Sequence, residues 1–335
     1  MLDIVLLSAA HIHTKGYLQT IGGRDDCRLV AVWDDVPDRG RRYAAEAGAQ
    51  FVAELEAAVQ WPGAGAFLIC AENARHLPLL EAAIPRRLPI FCEKPLLTTT
   101  AATRRVLELV RVHGTIVHAG YTQPFGDVMQ GVAALLGEGR LGHVTHARFR
   151  NAHHAAYGRW FDAPDLAWFH ALELAGGGAF MDMGTHAVHL LRTLLGPVTE
   201  VLATIRNASG EYPQVDDHGI ALLRFASGVL GVVEAAWIQT GGSAGLEITG
   251  SQGTVFQHPE RGYVLAAPGQ PPVPVAPALA RPVQVARLVA AAAGQLPRAE
   301  LDADLRCAAD AVAIMEARYA SSASGHWEPV PALVR

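Results

Sequence analysis

The stretch DIVLLSAAHIHTKG, residues 3–16, decides the fold. It opens with five residues, of which four are apolar, and runs through small side chains at Ser8, Ala9 and Ala10 into the polar start of a helix. That is a buried strand, a tight turn and a helix, the first unit of a doubly wound sheet. Working outward, the apolar runs RLVAVW (28–33), AFLIC (66–70), LPIFCEK (88–94) and TIVHAG (115–120) alternate with helical patterns. Those helical patterns are RGRRYAAEAGA (39–49), ARHLPLLEAAI (74–84) and TTTAATRRVLELVRVHG (98–114). Strands apolar throughout indicate a parallel sheet covered on both faces. The threonines before Ala101 can cap the first turn of the last helix.

After HAGYTQPF the alternation stops. LGHVTHARFRNAH (141–153), VTEVLATIR (198–206), HGIALLRFASGVLGVVEAAW (218–237), LEITGSQGTVFQ (246–257) and RGYVLAA (261–267) read as strands joined by short turns. They predict a mostly antiparallel open sheet with one face available as a subunit interface. A Pro-rich loop at 267–282 and helices to about Ser322 follow. The expected organisation is a Rossmann domain at 1–120 and an α+β substrate-binding and oligomerisation domain at 121–335, in keeping with 335 residues exceeding what one core usually serves.

Composition narrows the function. Half the residues are hydrophobic, 18% are charged and the net charge is −5, so disorder and nucleic-acid binding are not expected. No apolar run reaches the roughly 20 residues of a membrane span, and MLDIVLL lacks the basic region of a signal peptide, so a cytoplasmic protein is expected. The four cysteines, Cys27, Cys70, Cys92 and Cys307, show no CxxC pairing and read as free thiols, three of them buried.

In a doubly wound fold the ligand lies at the carboxyl ends of the strands, over the first βα turn. A dinucleotide fingerprint places glycines near positions 8, 10 and 13, where this sequence has Ser8, Ala10 and His13. Ser and Ala still let a backbone approach closely; the histidine is a departure. Strand two ends in AVWDD, where Asp34 can bind both hydroxyls of an adenosine ribose and repel a 2′-phosphate, favouring NAD over NADP. FCEKPLLTTT (91–100) delivers Glu93, Lys94 and Pro95 at another strand end; a proline there fixes the turn and, if cis, aims the lysine back toward the ligand.

GGGAFMDMGTHAVHLL (176–191) predicts a helix on which Asp182 and His186, four apart, share a face, with His189 further along the stripe. The preceding glycines let a backbone or ligand come close. Three readings arise: a core histidine hydrogen-bonded to Asp182, a base–carboxylate pair, or an Asp/His/His metal site. Without a general-base motif of the HExxH kind, no metal ligands are expected.

CEKPLLTTT followed about ninety residues later by GGGAFMDMGTHAVHLL resembles the glucose–fructose oxidoreductase / inositol dehydrogenase / rhizopine-catabolism (Gfo/Idh/MocA) family of nicotinamide-dependent oxidoreductases. AVWDDVPDRGRRYAAEAGA, LLRFASGVLGVVEAAW and LEITGSQGTVF extend the resemblance over nearly the whole chain. It implies an NAD-dependent dehydrogenase acting on a sugar, cyclitol or related polyol, as a homodimer or homotetramer with no nucleic-acid or membrane partner. Lys94, Asp182 and His186 would be the catalytic group, in a cleft between the two domains. Ser8, Ala10, His11, Ile12, Asp34, Asn73, His76, Glu93 and Lys94 would face the cofactor, and Tyr121 and Gln123 would join Lys94, Asp182 and His186 at the substrate.

The departures from the family pattern are the missing glycines, AEN (71–73) in place of TPN, YTQPF (121–125) without an arginine, and His189 where an acid often stands. His11, His13, His153 and His154 are candidates for lining an unusual site. The rival classes are a non-catalytic ligand sensor of the same fold and an NAD-dependent glycosidase. The base, carboxylate and lysine together favour the enzyme.

Overall fold

The structure, a computed structural model, describes residues 1–333. In chain order, strands β1 (Leu2–Leu7), β2 (Cys27–Trp33), β3 (Gln50–Val52), β4 (Ala66–Ile69), β5 (Ile90–Cys92) and β6 (Val117–Ala119) are interleaved with helices α1 (Thr14–Gly22), α2 (Pro37–Ala47), α3 (Leu55–Val59), α4 (His76–Ala83) and α5 (Thr100–His113). Then come α6 (Asp127–Gly137), β7 (Val144–Ala152), α7 (Leu172–Ala175), a π-helical turn at Phe180–Gly184 and α8 (Thr185–Leu195). Strands β8 (Val198–Arg206), β9 (His218–Phe225), β10 (Leu230–Ala236), β11 (Gly245–Gly250), β12 (Thr254–His258), β13 (Gly262–Ala266) and β14 (Val273–Pro274) follow. Helices α9 (Gln284–Ala292) and α10 (Arg298–Ser324) and strand β15 (Glu328–Pro329) complete the chain.

Two compact units result. The first takes Met1–Tyr121, and also Phe161–Gly176 and Pro282–Ala309, two segments that the expected continuous span of 1–120 did not include. Its six strands are all parallel, in the order β3-β2-β1-β4-β5-β6. That is the dinucleotide-binding order, with the reversal between β1 and β4. Ile4, Leu6, Leu68 and Phe91 are fully buried, and Val285 and Leu288 of α9 pack into the same core cluster. Each such side chain contributes about 1.5–3 kcal/mol on leaving water. As expected, threonine caps α5: Thr99 accepts the Ala102 amide at 3.2 Å, and Gly114, at φ 71°, closes the far end.

The second unit takes Thr122–Trp160, Gly177–Arg281 and Asp310 onward. Its nine-stranded sheet runs β14-β13-β12-β11-β7-β10-β9-β8-β15. All pairs are antiparallel except β7 with β10. Alternation on β9 buries Gly219, Ala221, Leu223 and Phe225 and turns Ile220, Leu222 and Arg224 outward. The outward face also carries the pairs Arg150–Glu234 and Arg148–Glu247. Among the described residues, no helix is long and apolar enough to cross a membrane. Cys27, Cys70 and Cys92 are buried free thiols and Cys307 is half-buried.

Candidate active site

In the first unit, β1 delivers Ser8 into the left-handed region at φ 66°. A fingerprint glycine adopts that conformation freely, whereas serine pays about 1 kcal/mol. The turn is held by amides: Ser8 N donates to Trp33 O at 2.7 Å, Ala9 N to Asp34 Oδ2 at 2.7 Å and His11 N to Cys70 O at 2.8 Å. Ala10 is buried and its carbonyl accepts the Trp168 indole at 3.0 Å, while Ile12 is exposed. The tight turn therefore survives the loss of its glycines.

Asp34 stands at the end of β2 as expected, but its carboxylate is buried and already engaged. Arg39 Nε donates to Oδ2 at 2.9 Å and Oδ1 at 3.1 Å, its Nη2 lies 2.8 Å from Oδ1 in the ion pair, and the Val36 amide donates to Oδ1 at 2.8 Å. Arg39 also reaches Asp35 at 3.1 Å and Glu72 at 3.5 Å, and Arg75 pairs with Asp35.

At the end of β5 the Lys94–Pro95 peptide is cis. Lys94 is buried, and Glu93 is wholly so. Glu93 accepts the Tyr17 hydroxyl and His13 Nδ1 (3.0 Å) at Oε1 and the Lys94 amide at Oε2 (2.9 Å). Burial pushes its carboxyl up, but His11, His13 and Lys94 outweigh burial and hold it well below the usual range. Burial and the Glu93 charge push the Tyr17 phenol far up. His76, expected to face the cofactor, is fully buried instead. Its Nδ1 lies 3.0 Å from Pro95 O and 3.2 Å from Leu96 O, and its Nε2 3.2 Å from Ala71 O, so it ties the end of β4 to the Lys-Pro turn. Asn73 is buried and donates to Ala175 O at 2.8 Å, leaving its Oδ1 without a protein partner. Tyr121 is buried; Gln123, in the second unit, is half-buried.

In the second unit the glycines have backbone reasons. A Cβ on Gly178 would lie 1.9 Å from the Asp216 carbonyl oxygen, and one on Gly177 would lie 2.3 Å from the Tyr319 hydroxyl. Gly176, in the first unit, caps α7 at φ 74°. Asp216 then pins the helical entry: its Oδ1 accepts Gly178 N at 2.8 Å and Tyr319 OH at 2.9 Å, and its Oδ2 accepts Phe180 N at 2.7 Å. Burial raises its carboxyl despite these three donors. The winding from Phe180 to Gly184 is π rather than α, so the regular helix begins only at Thr185. Trp237, fully buried, donates to Asp182 Oδ2 at 3.0 Å. Asp182 and His186 are half-buried, whereas His189, expected on the same stripe, is buried. Among the described residues, the donor atoms of Asp182, His186 and His189 do not converge on a point; the one set of three that does is His11, His13 and Glu93.

Sequence reasoning missed Arg39, Tyr17 and Asp216. Asp216 carried a faint signal in the doublet Asp216–Asp217 just ahead of β9.

The comparisons with known proteins bear on this arrangement. Residues 8–121 match the oxidoreductase family with an NAD-binding Rossmann fold, and residues 129–256 match the GFO/IDH/MocA C-terminal domain. An inositol 2-dehydrogenase of Acidothermus cellulolyticus is 30% identical over 272 residues, 79% of this chain and 74% of the relative. The chain belongs to the GFO/IDH/MocA family.

Other members fall alongside it. A 1,5-anhydro-D-fructose reductase of Ensifer adhaerens is 26% identical over 72% of this chain and 70% of that protein. An inositol dehydrogenase homolog of Azotobacter vinelandii, solved with NAD+, superposes with a TM-score of 0.82 at 19% identity, covering 98% and 97% of the two chains. A levoglucosan dehydrogenase solved with NADH and L-sorbose gives 0.79 at 18% identity, covering 99% and 100%. As a GFO/IDH/MocA protein the chain is an NAD-dependent oxidoreductase. Its first unit fits that cofactor: the strand order is the dinucleotide-binding one, Ser8 holds the left-handed turn, Ala9 and Ala10 are small, and the buried Asn73 Oδ1 has no protein partner.

Proposed function

We propose that the chain oxidises a secondary alcohol of a sugar, cyclitol or related polyol, with Lys94, Asp182 and His186 as the catalytic group. The observation that carries this reading is the fixed carboxylate of Asp182, oriented by the buried Trp237 indole at 3.0 Å, with the half-buried His186 four residues on. Two related proteins whose names specify a cyclitol or an anhydrosugar support the substrate class.

The roles follow from the chemistry. Bound NAD supplies the hydride acceptor. His186 takes the hydroxyl proton, since imidazole suits proton transfer near neutral pH. Asp182 orients and charge-stabilises that imidazole, and Lys94 stabilises negative charge developing on oxygen. Ser8, Ala10, Ile12, Asp34 and Asn73 face the cofactor; Tyr121 and Gln123 contact substrate. Buried thiols in place of disulfides suit a cytoplasmic protein. The outward sheet face, with Ile220 and Leu222 about 40% exposed, suits a homodimer or homotetramer, without nucleic-acid or membrane partners.

The test is NADH formation from NAD with a panel of cyclitols, aldoses, anhydrosugars and alditols, followed by absorbance. Turnover with at least one class, lost in Lys94→Ala, is expected. Tight NADH binding with no turnover on any class would instead mark a ligand sensor.

A further inference from the structure

We propose that His11, His13 and Glu93 form a binding site for one divalent transition-metal ion, contrary to the absence of metal ligands expected from sequence. Two imidazoles and a carboxylate are the donor set that zinc, iron, manganese and cobalt take in open sites. Here the motif HIH straddles the first βα turn and the carboxylate arrives from the end of β5, so the fold rather than sequence proximity assembles the set.

The distances fit. Two ligands each about 2.1 Å from one ion stand about 3.0–3.4 Å apart at right-angle to tetrahedral spacing. His13 Nδ1 lies 3.0 Å and His11 Nδ1 3.6 Å from the same oxygen, Glu93 Oε1, and the three donor atoms lie within 4.8 Å of one another. One pair is already at ligand spacing. The His11–Glu93 distance exceeds that spacing by about 0.2–0.6 Å, and the His13 ring, 44% exposed, has room to turn toward the other two donors.

The carboxylate is oriented by groups that are not ligands. The Tyr17 hydroxyl and the Lys94 amide fix its two oxygens, and a Cβ on Gly120 would come within 2.9 Å of Oε2, so the backbone there leaves room only for this carboxylate. Such outer partners hold first ligands in place in metal sites. His11 Nδ1 accepts the His13 amide at 3.3 Å, so this nitrogen is unprotonated, and a bound ion would take its single lone pair over from that long hydrogen bond. The exposed edge of His13 supplies an entry path and open coordination positions.

The test uses tag-free full-length protein stripped with chelator and titrated with Co2+, read by ligand-field absorption in the visible. Saturation at one equivalent is expected. His13→Ala, at a half-exposed ring whose loss leaves the fold intact, should weaken binding by ~100-fold or more, and Tyr17→Phe by about 10–100-fold. A control, His113→Ala on α5, should bind as the unmodified protein does. No absorption change at one equivalent, or unchanged affinity in His13→Ala, overturns the site. No dinucleotide is present in the titration, so failure here leaves the dehydrogenase reading untouched.

Discussion

The Arg39 guanidinium embraces the Asp34 carboxylate, Nη2 to Oδ1 at 2.8 Å and Nε to Oδ2 at 2.9 Å, with both side chains almost wholly buried. The acid proposed to bind the ribose is therefore paired in place by an arginine five residues on, in the first turn of α2. Cutting Asp34 to alanine leaves Arg39 buried against Asp35 and Glu72 alone. Breaking a buried pair this way costs about 3–5 kcal/mol, and urea unfolding should register a loss near the lower end, because two acids remain. The same change frees an arginine to meet a 2′-phosphate, so the preference for NADH over NADPH should narrow in fluorescence titrations. NADPH binding as tight as NADH in the unmodified protein would sink the assignment of Asp34.

Gly178 separates a structural glycine from a substrate-facing one. Its missing Cβ would lie 1.9 Å from the Asp216 carbonyl oxygen, a backbone atom that cannot swing aside. Gly178→Ala should lower unfolding free energy by about 1–3 kcal/mol or more, whether or not a polyol is present. Near-normal stability with impaired substrate affinity would return the glycine to the binding role that the sequence proposed for it.

Much of this was legible in sequence, for identifiable reasons. The six-stranded sheet was visible because strands buried on both faces must be apolar along their length, as Ile4–Leu7 and Ala66–Ile69 are. Strand β3 escaped because Gln50–Val52 is a three-residue edge strand that carries too little pattern. The open sheet was visible through period-two alternation, but the parallel pairing of β7 with β10 depends on tertiary arrangement. The candidate site divides the same way. Lys94, Asp182 and His186 sit in local motifs, whereas Asp216 lies 38 residues from the glycine amide it accepts and Glu93 80 residues from His13. Hydrogen bonds at such separations leave no periodicity to read. His76 was placed at the cofactor by the resemblance alone; it opens α4 fully buried, with three carbonyls around its ring.

His76 also sets a pH dependence. Burial lowers its pKa below the ordinary 6.5, and the carbonyls of Leu96, Ala71 and Pro95 do not restore it. Between the folded value and 6.5 the unfolded chain binds the extra proton, so stability rises with pH through that window and is lost as pH falls. The thermal unfolding temperature should thus fall as pH is lowered below about 6.5. His76→Gln should be less stable at pH 7.5, by about 1–3 kcal/mol for the broken buried hydrogen bonds. Its pH slope in this range should be shallower than that of the unmodified protein; an identical slope would remove His76 as the cause.

The decisive prediction concerns His186. If it is the base, its loss removes a proton acceptor used only in the transition state, leaving dinucleotide affinity alone. His186→Ala should cut turnover by ~10²–10⁴-fold with NADH affinity essentially unchanged. Asp182→Asn keeps the shape that Trp237 holds at 3.0 Å but removes the charge behind the imidazole, and should also slow turnover while the fold remains intact. Trp237→Phe removes the indole donor alone. It acts through Asp182, so its effect on turnover should be smaller than that of Asp182→Asn and should vanish when the two changes are combined. Additive losses in that double variant would mean that Trp237 serves packing rather than orientation. A His186→Ala protein turning over at the unmodified rate would refute the mechanism, whatever the substrate proves to be.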